Sequence, residues 1–237
     1  PWEEDYCIPK DRIEEYLSTA RALRDRYAGK MEIFLGLELD FYGERPQGLD
    51  YVIGSVHGLM QDGRFYAVDE SPEATRRAVE EGLPTVAEGF GGDWYRYTDA
   101  YFDLVAQLPE QTGCDWIGHF DLVSKFNQQD PRFDEESPRY LRRALEVLEH
   151  LARQGQCLEV NTGAITRGYR SVPYPAEPLL RRWRELGGEI ILNSDAHHVS
   201  HLCAGFREAE ELVKELGFTH INIWTRDGLR PEPLSRG

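Results

Sequence analysis

The sequence predicts an α/β fold in which helices cover a mostly parallel sheet. Short apolar segments alternate with longer segments of helical periodicity along the chain, the pattern of repeated strand–helix units. Several of the short segments are apolar nearly throughout, as in strands that are buried on both faces. No GxGxxG or GxxxxGK[ST] motif follows the first strand, which disfavours an open nucleotide-binding sheet. We therefore predict a barrel that forms a single domain over residues 1–237.

The elements are predicted in chain order from their periodicity. Residues 10–28 place apolar side chains at helical spacing, and Gly29 marks the end of this helix. Residues 62–92 are polar and irregular and predict a helix-containing excursion at one rim of the barrel. Strands are predicted at 31–42, 50–59, 114–122, 156–164, 189–196 and 220–224, and further helices at 92–109, 135–154, 175–186 and 205–216.

Composition excludes several classes of partner. The 27 Lys and Arg residues face 42 Asp and Glu residues, which gives a formal charge of -15 and disfavours binding to nucleic acid or to an anionic membrane. No segment approaches the roughly 20 apolar residues of a membrane span. The four cysteines form no CxxC pair, so neither a disulfide framework nor a thiolate zinc site is indicated. A cytoplasmic protein is expected.

Polar pairs two residues apart stand at the ends of five predicted strands. Side chains at this spacing point to the same face of a strand, and the carboxyl ends of barrel strands meet on one face. We therefore expect these carboxylates and imidazoles to converge on a metal site. The pairs are Glu38 and Asp40, Ser55 and His57, His119 and Asp121, Glu159 and Asn161, and Asp195 and His197.

Each of these histidines taken alone could be a hydrogen-bonded core residue, and it is the joint pattern that favours ligands. His198 and His201 follow Asp195 and could reach the site, although an exposed position is the simpler interpretation. Oxygen and nitrogen ligands without thiolate favour divalent Zn, Mn or Fe. Such ions can clamp a transferring phosphoryl group. Arg167, Arg170 and Lys125 are candidate phosphate donors, with solvated surface positions as the alternative.

The ordered motifs of this chain resemble those of the polymerase and histidinol phosphatase superfamily. The segments are GLELD (36–40), GSVH (54–57), GHFDL (118–122), EVNTGA (159–164) and SDAHH (194–198). Three more segments resemble its stand-alone histidinol-phosphatases, namely VDES (68–71), GGDWYRYTDAYFD (91–103) and LVSKF (122–126).

This resemblance implies a distorted (β/α)7 barrel that holds up to three divalent ions. Glu38 would be a bridging carboxylate, with His57 and His119 as ligands of a second ion and Asp195 and His197 as a closing pair. The implied reaction is hydrolysis of L-histidinol phosphate in histidine biosynthesis. The metal ions and Arg167 would hold the phosphate, with Lys125 and Arg170 kept as the further candidates named above. Asp121 and His198 are candidate sources of the proton for the leaving group.

The chain departs from the family pattern at its beginning. The family opens with a His-x-His strand and has a further histidine at the end of the second strand, and neither is present here. We therefore expect that one or two strands and three metal ligands are missing from this chain. Two alternatives stay open, a phosphoesterase of the superfamily that acts on nucleotides or phosphotyrosine, and a noncatalytic barrel. The sequence predicts no oligomeric state.

Overall fold

A computed structural model describes residues 7–61, 64–81 and 90–234 of the chain. Nine strands occur in this described part. They are β1 (Gly36–Asp40), β2 (Tyr51–Ser55), β3 (Gly58–Gln61), β4 (Arg64–Ala67), β5 (Trp116–Ile117), β6 (Cys157–Asn161), β7 (Glu189–Asn193), β8 (His220–Thr225) and β9 (Gly228–Pro233).

The main sheet has the strand order β1-β2-β5-β6-β7-β8-β9. Its first six strands are parallel, and β9 pairs with β8 in the antiparallel direction. Strands β3 and β4 form a separate antiparallel hairpin. The prediction of a mixed α/β fold with a mostly parallel sheet is therefore confirmed.

Helices lie between most of these strands. Their starts follow from local capping, since the Asp93 carboxylate accepts from the N–H groups of Tyr95 and Arg96, and the Ser137 hydroxyl accepts from that of Arg139. The helices are α1 (Ile13–Arg26), α2 (Pro72–Arg76), α3 (Trp94–Val105), α4 (Leu108–Thr112), α5 (Pro138–Arg153), α6 (Gly163–Thr166), α7 (Glu177–Glu185) and α8 (Phe206–Glu215). None of the described helices is long and apolar enough to cross a membrane.

The main core lies between helices α3, α5, α7 and α8 and the face of the sheet that these helices cover. These helices bury large side chains that include Tyr97, Phe102, Tyr140 and Trp183. Full burial of such a side chain contributes about 1.5–3 kcal/mol. This layer packs against the sheet beneath the carboxyl ends of its strands.

A smaller aromatic cluster lies on the concave face of the sheet. Tyr51 stacks on Trp116 with ring centroids 4.8 Å apart, and Trp224 lies 5.6 Å from Tyr51 and 5.8 Å from Trp116. These contacts bring β8 close to β2 and β5, so the sheet is strongly curled. Within the described residues, no ladder joins the edge strands β1 and β9. Closure of the barrel therefore stays a prediction.

Several elements differ from the sequence prediction. The strand predicted at 50–59 divides into β2 and β3, which belong to different sheets. The strand predicted at 114–122 is only two residues long, because the backbone N–H of His119 donates to the Glu159 carboxylate instead of continuing the ladder. Strand β9 is absent from the sequence prediction, and its Pro231 and Pro233 are residues that disfavour a strand. Its position at the sheet edge tolerates them, and the Asp227-Gly228 pair is a hairpin signal that could have identified it.

Glycine is the one residue type that fits at position 36, the start of β1. A Cβ atom there would lie 1.9 Å from the Tyr51 ring. We expect Gly36→Ala to lower the free energy of unfolding by about 1–3 kcal/mol, because the aromatic cluster has to shift. Urea denaturation checks this, with Lys30→Ala as an exposed control in the preceding segment. Equal stability of the two variants would contradict this packing.

Candidate active site

Three side chains converge at the carboxyl ends of adjacent strands. Glu38 projects from β1, His57 follows β2 and His119 follows β5. The Oε1 atom of Glu38 lies 2.8 Å from Nε2 of His119 and 3.1 Å from Nε2 of His57. In the described part of the chain, this is the one group of His, Cys, Asp or Glu with three ligand atoms within 4.8 Å of one another. We call it the Glu38 triad.

Neighbouring carboxylates bind the backbone of both histidines of the triad, and at His57 one of them also lies beside the imidazole. Asp40 Oδ2 accepts the backbone N–H of His57 at 2.9 Å and lies 3.4 Å from its Nδ1. A carboxylate behind Nδ1 leaves Nε2 directed at the centre of the triad, as in many metal sites. Glu159 Oε2 accepts the backbone N–H of His119 at 2.9 Å. The Nδ1 atom of His119 is buried without a partner in the described residues.

The charges within the triad stabilise one another. Desolvation alone would raise the pKa of Glu38, but the hydrogen bonds from His119 and His57 outweigh it and hold the pKa well below its usual range. Desolvation opposes the charged form of His57, yet Asp40 and Glu38 raise its pKa well above the ordinary value. The carboxylate is thus kept ionised, which is the state that binds a cation.

Glu159 connects the strands behind the triad. It is 3% exposed, and besides His119 it accepts from Asn161 at 2.9 Å and from Asn193 at 2.6 Å. Burial raises the pKa of Glu159 and the charge of His119 opposes that shift. The carboxylate therefore links the ends of β5, β6 and β7, and through Asn193 it reaches the strand that leads to Asp195.

Asp195, His197 and Arg167 form a second group. Arg167 donates from Nη2 to Asp195 Oδ2 at 2.7 Å and from Nη1 to the Asp195 carbonyl at 2.8 Å. His197 Nδ1 lies 3.1 Å from Arg167 Nη1. A Cβ atom at Gly163 would come within 2.9 Å of the Asp195 side chain, so the close approach needs glycine. The described contacts place these residues together but do not join Asp195 or His197 directly to the Glu38 triad.

The other two candidate phosphate ligands are engaged elsewhere. Lys125 Nζ donates to the Asp69 carbonyl at 2.8 Å, and it lies 4.8 Å from the ring centre of Tyr169. Arg170 is 7% exposed and binds Ser124 and Glu135. Because its guanidinium is committed to these internal partners, we replace the phosphate-binding interpretation of Arg170 with a structural one.

The two candidate proton sources lie in different environments. Asp121 is fully buried, and its Oδ2 accepts the backbone N–H of Ala176 at 3.0 Å. Burial raises the pKa of Asp121 to about 6, although Arg170 opposes the shift. His198 is exposed, and its side chain caps the turn Val199–His201 by accepting from Ser200 N. His201 belongs to the same turn.

The comparisons with known proteins decide the family. No family model matches the chain. The chain is 31% identical over 226 residues to a protein of Deinococcus radiodurans named "Probable histidinol-phosphatase", covering 92% of this chain and 76% of that protein. The chain belongs to the histidinol-phosphatase family. It is also 24% identical to the histidinol-phosphatase of Bacillus subtilis, covering 82% of this chain and 74% of that protein.

Solved structures of histidinol-phosphatases share the fold. The Lactococcus lactis histidinol phosphate phosphatase, crystallised with zinc, L-histidinol and phosphate, superimposes with a TM-score of 0.63 at 22% identity. The match covers 92% of this chain and 79% of that one. The curled, mostly parallel sheet is therefore the histidinol-phosphatase architecture.

Proposed function

We propose that this chain hydrolyses L-histidinol phosphate to L-histidinol and phosphate with the help of divalent metal ions. The observation that carries the proposal is the Glu38 triad, a ready set of metal-ligand atoms in a member of the histidinol-phosphatase family. The Lactococcus relative was crystallised with zinc and with the two products of this reaction.

The donor set fits a divalent transition metal. One carboxylate and two imidazoles, with Nε2 atoms directed at a shared oxygen, match the ligand preference of zinc, manganese or iron. We propose Asp195 and His197 as further ligands and a cluster of up to three ions. When bound, the ions supply positive charge that polarises the phosphoryl oxygens and lowers the pKa of water.

Arg167 is the phosphate-binding side chain in this proposal. Its guanidinium is partly exposed beside Asp195, and the planar fork suits two oxygens of a phosphate group. Lys125 lies in the neighbouring loop and adds positive charge. The proton donor to the leaving oxygen stays a prediction, with Asp121 and His198 as its candidates.

We also propose that the curled sheet belongs to a distorted (β/α)7 barrel. The contacts of Trp224 with Tyr51 and Trp116 across the concave face support this geometry. The cytoplasmic location stays a prediction.

Phosphate release from a panel of monoesters tests the function. The metal-loaded protein should hydrolyse L-histidinol phosphate with a kcat/KM well above that for a nucleotide monophosphate or phosphotyrosine, and a chelator should remove the activity. Preference for the nucleotide or phosphotyrosine would assign a different substrate. Absence of phosphate release from every ester would favour a noncatalytic barrel.

A further inference from the structure

Two loops at the carboxyl face are joined along their length. The β5 loop (residues 118–137) begins beside the Glu38 triad, and the β6 loop (residues 162–176) carries Arg167. Polar contacts between the two loops recur at intervals, and we call this line of contacts the seam. These are Gln129 Nε2 to the Gly168 carbonyl at 2.7 Å, Gln128 Nε2 to Ser171 Oγ at 2.7 Å, Ser171 N to Gln128 Oε1 at 2.7 Å, and Ala176 N to Asp121 Oδ2 at 3.0 Å.

Arg170 is the buried centre of this seam. From the β6 loop, its Nη1 donates to the Ser124 carbonyl at 2.9 Å and to Ser124 Oγ at 2.6 Å. Its Nη2 pairs with Glu135 Oε2 at 3.1 Å, and the guanidinium lies 5.3 Å from the ring centre of Tyr174. The Arg170 side chain is only 4% exposed. It therefore binds two points of the β5 loop and cannot reach a substrate in solvent.

The partners of Arg170 lead directly to the triad on one side. Ser124 Oγ donates to the Asp121 carbonyl at 2.7 Å, and the backbone N–H of Leu122 donates to the His119 carbonyl at 2.9 Å. The 3₁₀ turn Leu122–Ser124 is thus bound at one end by Arg170 and is connected at the other to His119.

On its other side, Arg170 is connected to Arg167 through helix α6. The backbone N–H groups of Arg167 and Arg170 donate to the carbonyls of Gly163 and Ala164 at 3.0 and 3.3 Å, so both residues are fixed to helix α6. Arg167 in turn binds Asp195. Among the described residues, no hydrogen bond or ion pair joins the Glu38 triad directly to Asp195, His197 or Arg167. The spacing of the two groups therefore depends on the parallel strand ladder, on Glu159 and on this seam.

We propose that Arg170 is a positioning residue, which sets the distance between Arg167 and the His119 end of the triad. This inference rests on the proposed function, since it assumes that Arg167 holds the phosphate. A buried ion pair adds little net stability compared with an apolar replacement. Its role here is to fix one arrangement of two loops, and displacement by about 1 Å can lower turnover ~100-fold.

A double-mutant cycle tests the proposal. Arg170→Met, which keeps the length of the side chain without its charge, should lower kcat/KM for L-histidinol phosphate by about 10- to 100-fold in the parent. In an Arg167→Ala background the same change should cost less than about threefold, because residues that act through one another are not additive. Metal content should stay the same. Arg182→Met is the matched control, since Arg182 pairs with Glu149 between α5 and α7.

Affinity for inorganic phosphate gives a second cycle that needs no turnover. Calorimetry should show the same non-additivity for Arg170 and Arg167. Equal losses of kcat/KM and of phosphate affinity in both backgrounds would mean that Arg170→Met only reduces the folded fraction. No loss of either quantity would mean that the seam does not position Arg167. Either result overturns the proposal. If the methionine variant does not fold, Arg170→Lys, which keeps the charge beside Glu135, replaces it in both cycles. A parent that binds phosphate but leaves L-histidinol phosphate intact would instead contradict the proposed function alone.

Discussion

Glu38→Gln is expected to lose metal and activity together. The Oε1 atom of Glu38 is the point on which His57 and His119 converge, and an amide cannot supply the negative charge that a divalent ion requires. Outer partners of a metal site alone change affinity or activity by about 10- to 100-fold, so a direct ligand should cost at least ~100-fold in phosphate release. Elemental analysis and a phosphate assay measure the two losses.

Glu32→Gln is the control for this experiment. Glu32 precedes the same strand and pairs with Arg226 at an exposed position, so its replacement should leave metal content and turnover unchanged. If Glu38→Gln kept the parental metal content, the triad would not be the metal centre, and the role of Glu38 would be confined to hydrogen bonds with the two histidines.

Arg167→Ala is expected to weaken catalysis without removing the metal held by the Glu38 triad. Loss of a charge-assisted bidentate contact costs about 1.5–3 kcal/mol, which corresponds to roughly 10- to 150-fold in kcat/KM. Inorganic phosphate should inhibit the variant more weakly, because the same guanidinium would bind the product. Steady-state kinetics with and without added phosphate measure both effects.

Two further variants sharpen the Arg167 prediction. Arg167→Lys keeps the charge but not the planar fork, and it should fall between the parent and the alanine variant. Arg181→Ala removes an exposed arginine that pairs with Glu177 on α7, and it should behave as the parent. Parental kinetics in Arg167→Ala would show that the arginine serves only to hold Asp195.

The convergence of Glu38, His57 and His119 could be predicted from sequence because it depends on a general rule. Parallel strands present their carboxyl ends on one face, and a polar residue at each apolar strand's end must lie there. The chain places these three side chains within contact distance. By the same rule, Asp195 and His197 come at the carboxyl end of β7. The left-handed backbone at Asp195 directs them toward Arg167, which strand periodicity does not describe.

The burial of Arg170 could not be predicted in this way. An arginine in a loop that contains glycine is usually solvated, and the sequence does not show that Ser124 and Glu135, 46 and 35 residues away, would enclose it. Glu159 is a similar case. Its position at a strand end suggested a site residue, whereas the hydrogen bonds from His119, Asn161 and Asn193 make it the link between strands.

The most direct test is an anomalous diffraction measurement at the zinc edge on crystals grown with zinc and inorganic phosphate. We predict a zinc peak about 2.0–2.2 Å from Glu38 Oε1, His57 Nε2 and His119 Nε2, with a phosphate that contacts both the metal site and Arg167. Zinc bound away from these three atoms, or phosphate bound away from Arg167, would contradict the account.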